Sequence, residues 1–250
     1  MASPSIFAAM KKPTLYTSLS PALLHLYDVR ECIVVVIDVL RATSTIATAL
    51  HNEAKEVIPV DSVEKCIRLG KEMACITAGE RDGQVAEGLQ YGNSSFEYPT
   101  EFIKGKILVL TTTNGTKLLH RAVAKGATEI ITGAFLNFSA VCEHLLQMNK
   151  NVILACAGWK DKVNIEDTLF AGAVISKLQQ HFTIDCDASQ MASCLYQLAK
   201  DDLYEFMKRN NASHYHRLTS FGLEKDIRHC LKQDVANVLP SYQNERLIRY

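Results

Sequence analysis

The segment Cys32-Ile-Val-Val-Val-Ile37 is apolar without alternation, and a strand of that kind has to be covered on both faces. That condition points to an α/β protein with a mainly parallel sheet and helices on both sides. The run passes directly into Asp38-Val-Leu-Arg41-Ala-Thr43-Ser44-Thr45, so a carboxylate, a guanidinium and three hydroxyls stand where a buried strand gives way to a helix. Strand ends of this type are where α/β sheets carry ligand chemistry. An acid emerging from a buried strand needs a partner or a ligand, which makes Asp38 the first candidate catalytic residue.

Periodicity extends the pattern. Strands are predicted at 15–18, 32–37, 56–60, 107–110, 130–131 and 152–155, and Ser20-Pro21 opens a helix reaching Leu26. Further helices are predicted at 43–50, from Asp61 as N-cap with Glu64 three residues on, and at 115–123, 139–148 and 165–178. Pro59 lacks the amide a central strand needs, so 56–60 is expected at a sheet edge. Residues 78–101 are rich in turn formers and read as a long irregular segment, functional or mobile. Beyond Phe182 the chain turns mostly helical, with 188–207 and 222–231 at roughly helical spacing. The reading is a single unit over 1–250, with sub-lobes of about 1–180 and 181–250 left open.

Of the 250 residues 48% are apolar and 22% charged, with 27 basic against 27 acidic side chains. Such a balance generates no global field, so nucleic acid and anionic membranes are excluded as expected partners and any anion site must be local. The eight cysteines are scattered without a Cys-x-x-Cys pair, which reads as reduced, mostly buried thiols. Two lysines follow the apolar patch at the start, the reverse of a secretory signal, and no apolar stretch has bilayer length; a cytoplasmic location is expected. Oligomeric state stays open.

Three predicted strands end in polar or glycine-bearing turns: at Asp38, at Thr111-Thr112-Thr113-Asn114-Gly115-Thr116, and at Cys156-Ala157-Gly158. In a parallel sheet their ends share one edge, so they are expected to converge. Hydroxyls beside free helix amides make an oxyanion site, and Gly115 admits close approach of a phosphate or sulfonate. A nucleotide P-loop is rejected, because Thr111 stands where its first glycine belongs and Thr116, not lysine, follows Gly115. Arg41 and Arg81 offer bidentate forks for an anion. Asp38, Glu80, Glu166 and Asp167 together supply the hard oxygens that suit Mg²⁺, although Asn164, Glu166 and Asp167 equally make an ordinary helix start. His214 and His216 flank no nucleophile and read as surface or core residues. No Gly-x-Ser-x-Gly supports a serine hydrolase.

Five blocks, Val35-Ile-Asp-Val-Leu-Arg-Ala-Thr-Ser-Thr45, Gly79-Glu-Arg81, Gly92-Asn-Ser94, Thr111 to Thr116, and Cys156-Ala-Gly158 with Glu166-Asp167, resemble the 2-phosphosulfolactate phosphatase (ComB) family. The likeness spans about residues 15–178, with a weaker echo near Asp226 to Asp234. It implies an α/β fold and Mg²⁺-dependent hydrolysis of 2-phospho-3-sulfolactate or a related phosphorylated acid. Asp38 and Arg41 would be catalytic, and Mg²⁺ would rest on Asp38 with Glu80, Glu166 or Asp167. Thr43, Ser44, Arg81, Asn93 and Thr111 through Thr116 would bind substrate. The chain departs from the family at Gln90, Ser95 and Trp159, which bears on the ester more than on the reaction. The rival reading is a non-catalytic binder of phosphate or sulfonate metabolites.

Overall fold

The run at 32–37 forms β2 (Cys32–Ile37), buried along its whole length, in a computed structural model that describes residues 12–81 and 83–250. The start of the chain up to residue 11, including the first of the two lysines, lies outside the described residues. On one side of β2 run β8 (Asn151–Cys156) and then β1 (Leu15–Ser18), and on the other β7 (Glu129–Gly133), all parallel. A second parallel block consists of β3 (Glu56–Val60), β6 (Ile107–Thr111) and β4 (Ile76–Arg81), edged by the short antiparallel β5 (Gln84–Val85). Between the blocks lies a hairpin of β9 (Pro240–Gln243) and β10 (Arg246–Arg249), giving the order β1-β8-β2-β7-β9-β10-β3-β6-β4-β5.

Both junctions of the hairpin, and its own turn, are antiparallel. Three reversals mean that the two parallel blocks run in opposite senses, so β2 and β8 end at one edge, as the sequence predicts, while β6 ends at the other. The turns converge by another route. Val34 and Val36 of β2, Ile130 of β7, Val57 of β3 and Leu108 and Leu110 of β6 all enter one core. Helices α1 (Ala42–His51) and α4 (Gly115–Ala124) fill it with Ile46, Leu50, Leu118 and Leu119. Each such side chain contributes about 1.5–3 kcal/mol on burial, so both blocks are drawn around the same two helices.

The opposite face of the first block carries Ile33, Val35, Ile37, Val152 and Leu154. They pack on α5 (Phe138–Met148), α6 (Ile165–Leu178) and α7 (Asp187–Ala199). Phe170 of α6 meets Phe135 and Phe138 edge to face there. Short helices α8 (Leu203–Arg209), α9 (Ser213–Ser220) and α10 (Glu224–Cys230) add Met207, Leu218 and Ile227 to this core. On the second block's outer face Cys66 lies with Ile58, Val60 and Val109. Layers thus cover both faces, as the unalternating strands require. The described cysteines are free thiols, and among the described residues no helix is long and apolar enough to cross a membrane.

Four expectations change. β3 is interior, between β6 and β10, and tolerates Pro59 because the recorded pairing with β10 is Leu247 opposite Val57. Ser62, not Asp61, caps α2 (Val63–Met73), its hydroxyl accepting the Lys65 amide at 3.1 Å, and a single turn, α3 (Thr100–Ile103), leads into β6. Residues 78–81 of the expected irregular segment belong to the sheet strand β4. Gly79 occurs there because a Cβ would stand 2.4 Å from the Thr111 carbonyl oxygen, so a residue read as a turn former marks close strand packing. The helical pattern over 188–207 is two helices, divided at Asp202, whose side chain accepts the Glu205 amide at 2.9 Å.

Candidate active site

The β2–α1 turn is knitted by its own polar groups. The Asp38 amide donates to Thr43 Oγ1 at 3.1 Å, the Thr43 amide to the Asp38 carbonyl at 2.9 Å, and the Ser44 hydroxyl to the Val39 carbonyl at 2.8 Å. Thr45 Oγ1 reaches the Asn93 carbonyl at 3.0 Å. Thr43 and Ser44, expected to touch substrate, therefore spend their hydroxyls shaping the turn. The Leu40–Arg41 peptide is cis. At Gly115 a Cβ would stand 2.7 Å from Asp38 Oδ2, so glycine is what lets the start of α4 lie against the carboxylate. Burial pushes the Asp38 carboxyl up to about 6; His214 nearby opposes that rise, and Glu80 and Glu166 add to it.

Asp38, Arg41, Glu80, Asn93, Asn114 and His214 line one cavity, closed by Leu40, Gly83, Trp159 and Leu218. Its volume, about 10 Å³, holds roughly one water. Arg41 is 5% exposed, donating from Nη1 to Asp226 Oδ1 at 2.9 Å and from Nη2 to the Gly83 carbonyl at 3.1 Å. Glu80 accepts the Gly83 amide on Oε2 at 2.9 Å and the Thr113 amide on Oε1 at 2.8 Å, clamping two loops to the cavity rim. Asn114 Oδ1 accepts the Lys160 amide at 3.1 Å. Asn93 Oδ1 is buried with no protein partner, which marks it as a group awaiting a ligand or water.

The neighbours Glu166 and Asp167 diverge. Asp167 accepts the Val39 amide at 2.9 Å on Oδ1, and the Gly158 amide at 3.0 Å and Asn164 Nδ2 at 2.9 Å on Oδ2. It ties the turn after β2 to the turn after β8, and the Asn164 side chain caps α6. Burial, with Glu166 and Asp38 close by, raises its carboxyl well above the usual range. Glu166 Oε1 instead meets His214 Nδ1 at 2.5 Å, while Oε2 is buried without a partner. His214, read from the sequence as a surface or core residue, is a cavity wall packed at a tilt against Trp159 with centroids 5.7 Å apart. No local pattern flags it, because its partner is 48 residues upstream.

Arg81 follows Glu80 on a strand and so faces the other way. It donates to the Glu80 carbonyl at 2.7 Å and to Thr111 Oγ1 at 3.2 Å, and it lines an open cleft with Thr112, Thr113 and Lys117 rather than the Asp38 cavity. Thr112 and Thr116 lock each other: Thr112 Oγ1 accepts the Thr116 amide at 3.2 Å, and Thr116 Oγ1 donates to the Thr112 carbonyl at 2.9 Å. Of the proposed threonine cradle only Asn114 reaches the cavity itself, and Thr113 contributes through its amide on Glu80.

Among the described residues no three His, Cys, Asp or Glu side chains group as a metal centre. Mg²⁺ does not demand three: one or two carboxylates with substrate oxygens and water suffice. Asp38 and Glu80 on the cavity wall, beside the unpartnered Asn93 Oδ1, fit that requirement. Asp167, with three donors on its two oxygens, fits it poorly, and Glu166 is engaged by His214.

The departures at Gln90, Ser95 and Trp159 fall in different places. Gln90 accepts the Thr77 amide and lines a separate surface pocket beside Tyr91, so its change does not touch the cavity. Ser95 opens a short 3₁₀ turn behind Asn93, whereas Trp159 walls the cavity directly.

A family model described as 2-phosphosulpholactate phosphatase matches residues 18–245. A probable 2-phosphosulfolactate phosphatase of Caldanaerobacter subterraneus subsp. tengcongensis is 42% identical over 221 residues, covering 87% of this chain and 90% of that protein. Proteins of the same description from Thermotoga maritima and Clostridium acetobutylicum are 41% and 37% identical, covering 84% and 86% of this chain and 88% and 91% of theirs.

Proposed function

Since the chain belongs to the 2-phosphosulpholactate phosphatase family, we propose that it hydrolyses the phosphate monoester of a small acidic hydroxy acid, 2-phospho-3-sulfolactate first among them, with Mg²⁺. The observation that carries this reading is the convergence of Asp38, Arg41, Glu80, Asn93 and the Glu166-paired His214 on one buried cavity. Monoester hydrolysis needs some of the largest rate enhancements known, up to about 10²¹, and charge on the transferring phosphoryl group must be met in the transition state.

Asp38 and Glu80 are the residues to hold Mg²⁺, which when bound neutralises phosphoryl charge. Arg41 uses two of its five N–H groups on Asp226 and Gly83, which fix the guanidinium plane and leave the others to the phosphoryl oxygens. With Nδ1 on Glu166, His214 has Nε2 left to hand a proton to the alkoxide as the ester P–O bond breaks and water attacks phosphorus, the water's own proton leaving with the phosphate. Asn93 and Asn114 orient the ester. Trp159 narrows the entrance, so it sets which acid is accepted.

A phosphorylated hydroxy acid does not fit about 10 Å³, so the walls part on binding. Phosphate release is measured with Mg²⁺ over a panel of phosphorylated hydroxy acids. Turnover abolished by EDTA is expected. Silence across the panel, with thermal stabilisation by phosphate or sulfolactate, would instead make the protein a metabolite binder.

A further inference from the structure

The cleft on the far side of the Thr111–Thr113 turn has a volume of about 520 Å³, against about 10 Å³ for the Asp38 cavity. Arg81, Lys117, Arg121 and His120 line it, with Asp61 on its wall. Lys117 and Arg121 share Asp161, at 3.1 and 2.7 Å, so one acid answers two cations. Arg81 has less: its hydrogen-bond partners are the Glu80 carbonyl and Thr111 Oγ1, both neutral, and the carboxylate that feels its charge is the exposed Glu64. A part-buried guanidinium facing an open cleft with N–H groups to spare, and only a solvent-screened acid beside it, is a weakly answered charge.

We propose that this cleft is a second oxyanion site, distinct from the Asp38 cavity, taking a phosphate or sulfonate either free or as the end group of a small molecule. Arg81 supplies a charge-assisted fork and Lys117 a point charge, while Ala124 and the His120 ring offer a surface for the body of a larger ligand. The site is also linked to the other cavity. Arg81 holds the Glu80 carbonyl, and Thr113, on the cleft wall, gives its amide to the Glu80 carboxylate. Occupancy of the cleft therefore bears on a residue of the proposed catalytic centre without contacting it.

The test is equilibrium binding, independent of turnover. Inorganic phosphate and phosphoglycolate are titrated in EDTA into the wild type, Arg81→Ala, Lys117→Ala and Arg41→Ala, each shown to be folded by circular dichroism and thermal melting. Phosphate binding that weakens about tenfold or more in Arg81→Ala and Lys117→Ala, and survives in Arg41→Ala, is expected. Phosphoglycolate binding no tighter than phosphate assigns a free ion; tighter binding assigns a carried group. Binding that follows Arg41 alone, or no saturable binding in the wild type, overturns the proposal whatever the outcome of the phosphatase assay.

Discussion

Glu80 and Arg81 are consecutive residues on one strand, and they serve two compartments of opposite character. The Glu80 side is closed, with room for about one water, and concentrates acids, an arginine held by its own acid, and a histidine. The Arg81 side is open, and Arg81, Lys117 and Arg121 stand on its wall against one acid, Asp61. Strand alternation sends the two side chains apart, and burial then decides what each can do. In the closed compartment every charge is expensive unless answered, which is why Asp38 is pushed up to about 6 and Arg41 sits against Asp226. On the open side solvent screens the cations, and affinity there rests on shape and charge rather than on an activated group.

The contrast can be broken at several points, and the largest effect is expected at His214. His214→Ala should lower kcat by about 10²–10⁴ while leaving the fold intact, and steady-state kinetics with a melting curve check both. A loss below about fivefold would leave His214 as packing against Trp159. Next is Asp226→Asn, which leaves Arg41 buried without its carboxylate. Breaking such a pair costs about 3–5 kcal/mol, read by urea denaturation, and kcat should fall with it. Asp226→Asn with native stability and kcat would show that Gly83 alone fixes Arg41.

A third test uses pH. The Asp38 carboxyl is raised from 3.8 to about 6 on folding. Between those values the native state binds more protons than the unfolded chain, so this group's contribution falls as pH rises through that window. In EDTA, Asp38→Asn should therefore be more stable than wild type at pH 7.5 by up to about 3 kcal/mol, with the gain vanishing near pH 4. A variant less stable at pH 7.5 would mean that the buried carboxylate is answered by neighbours. The smallest effect belongs to the open compartment: Lys117→Ala should change kcat/KM by less than about threefold in the absence of added phosphate.

Much of the architecture was legible because buried strands announce themselves. The runs at 32–37 and 152–155 have no polar alternation, and the helix at 165–178 follows an Asn164 cap. What stayed hidden involved partners distant in sequence. The β9–β10 hairpin reads as Pro240-Ser-Tyr-Gln and Arg246-Leu-Ile-Arg, too short and polar to suggest strands at the centre of a sheet. Asp202 with Glu205 at the third helical position was a capping signal that could have split the pattern over 188–207. At the site, Asp38, Arg41 and Glu80 stand out as charges next to buried strands, and all three reach the cavity. Asp167 looked equivalent to Glu166, and what distinguishes them is the Val39 and Gly158 amides on the one and His214 on the other, all distant in sequence or set by the fold. His214 gave no signal at all.

The account rests on Asp38 being the centre of a phosphoryl-transfer site. Phosphate release from 2-phospho-3-sulfolactate with Mg²⁺, compared between wild type and folded Asp38→Asn, tests that most directly. Turnover by the wild type and a loss of about a thousandfold or more in the variant are predicted. Near-equal rates in the two proteins would contradict it.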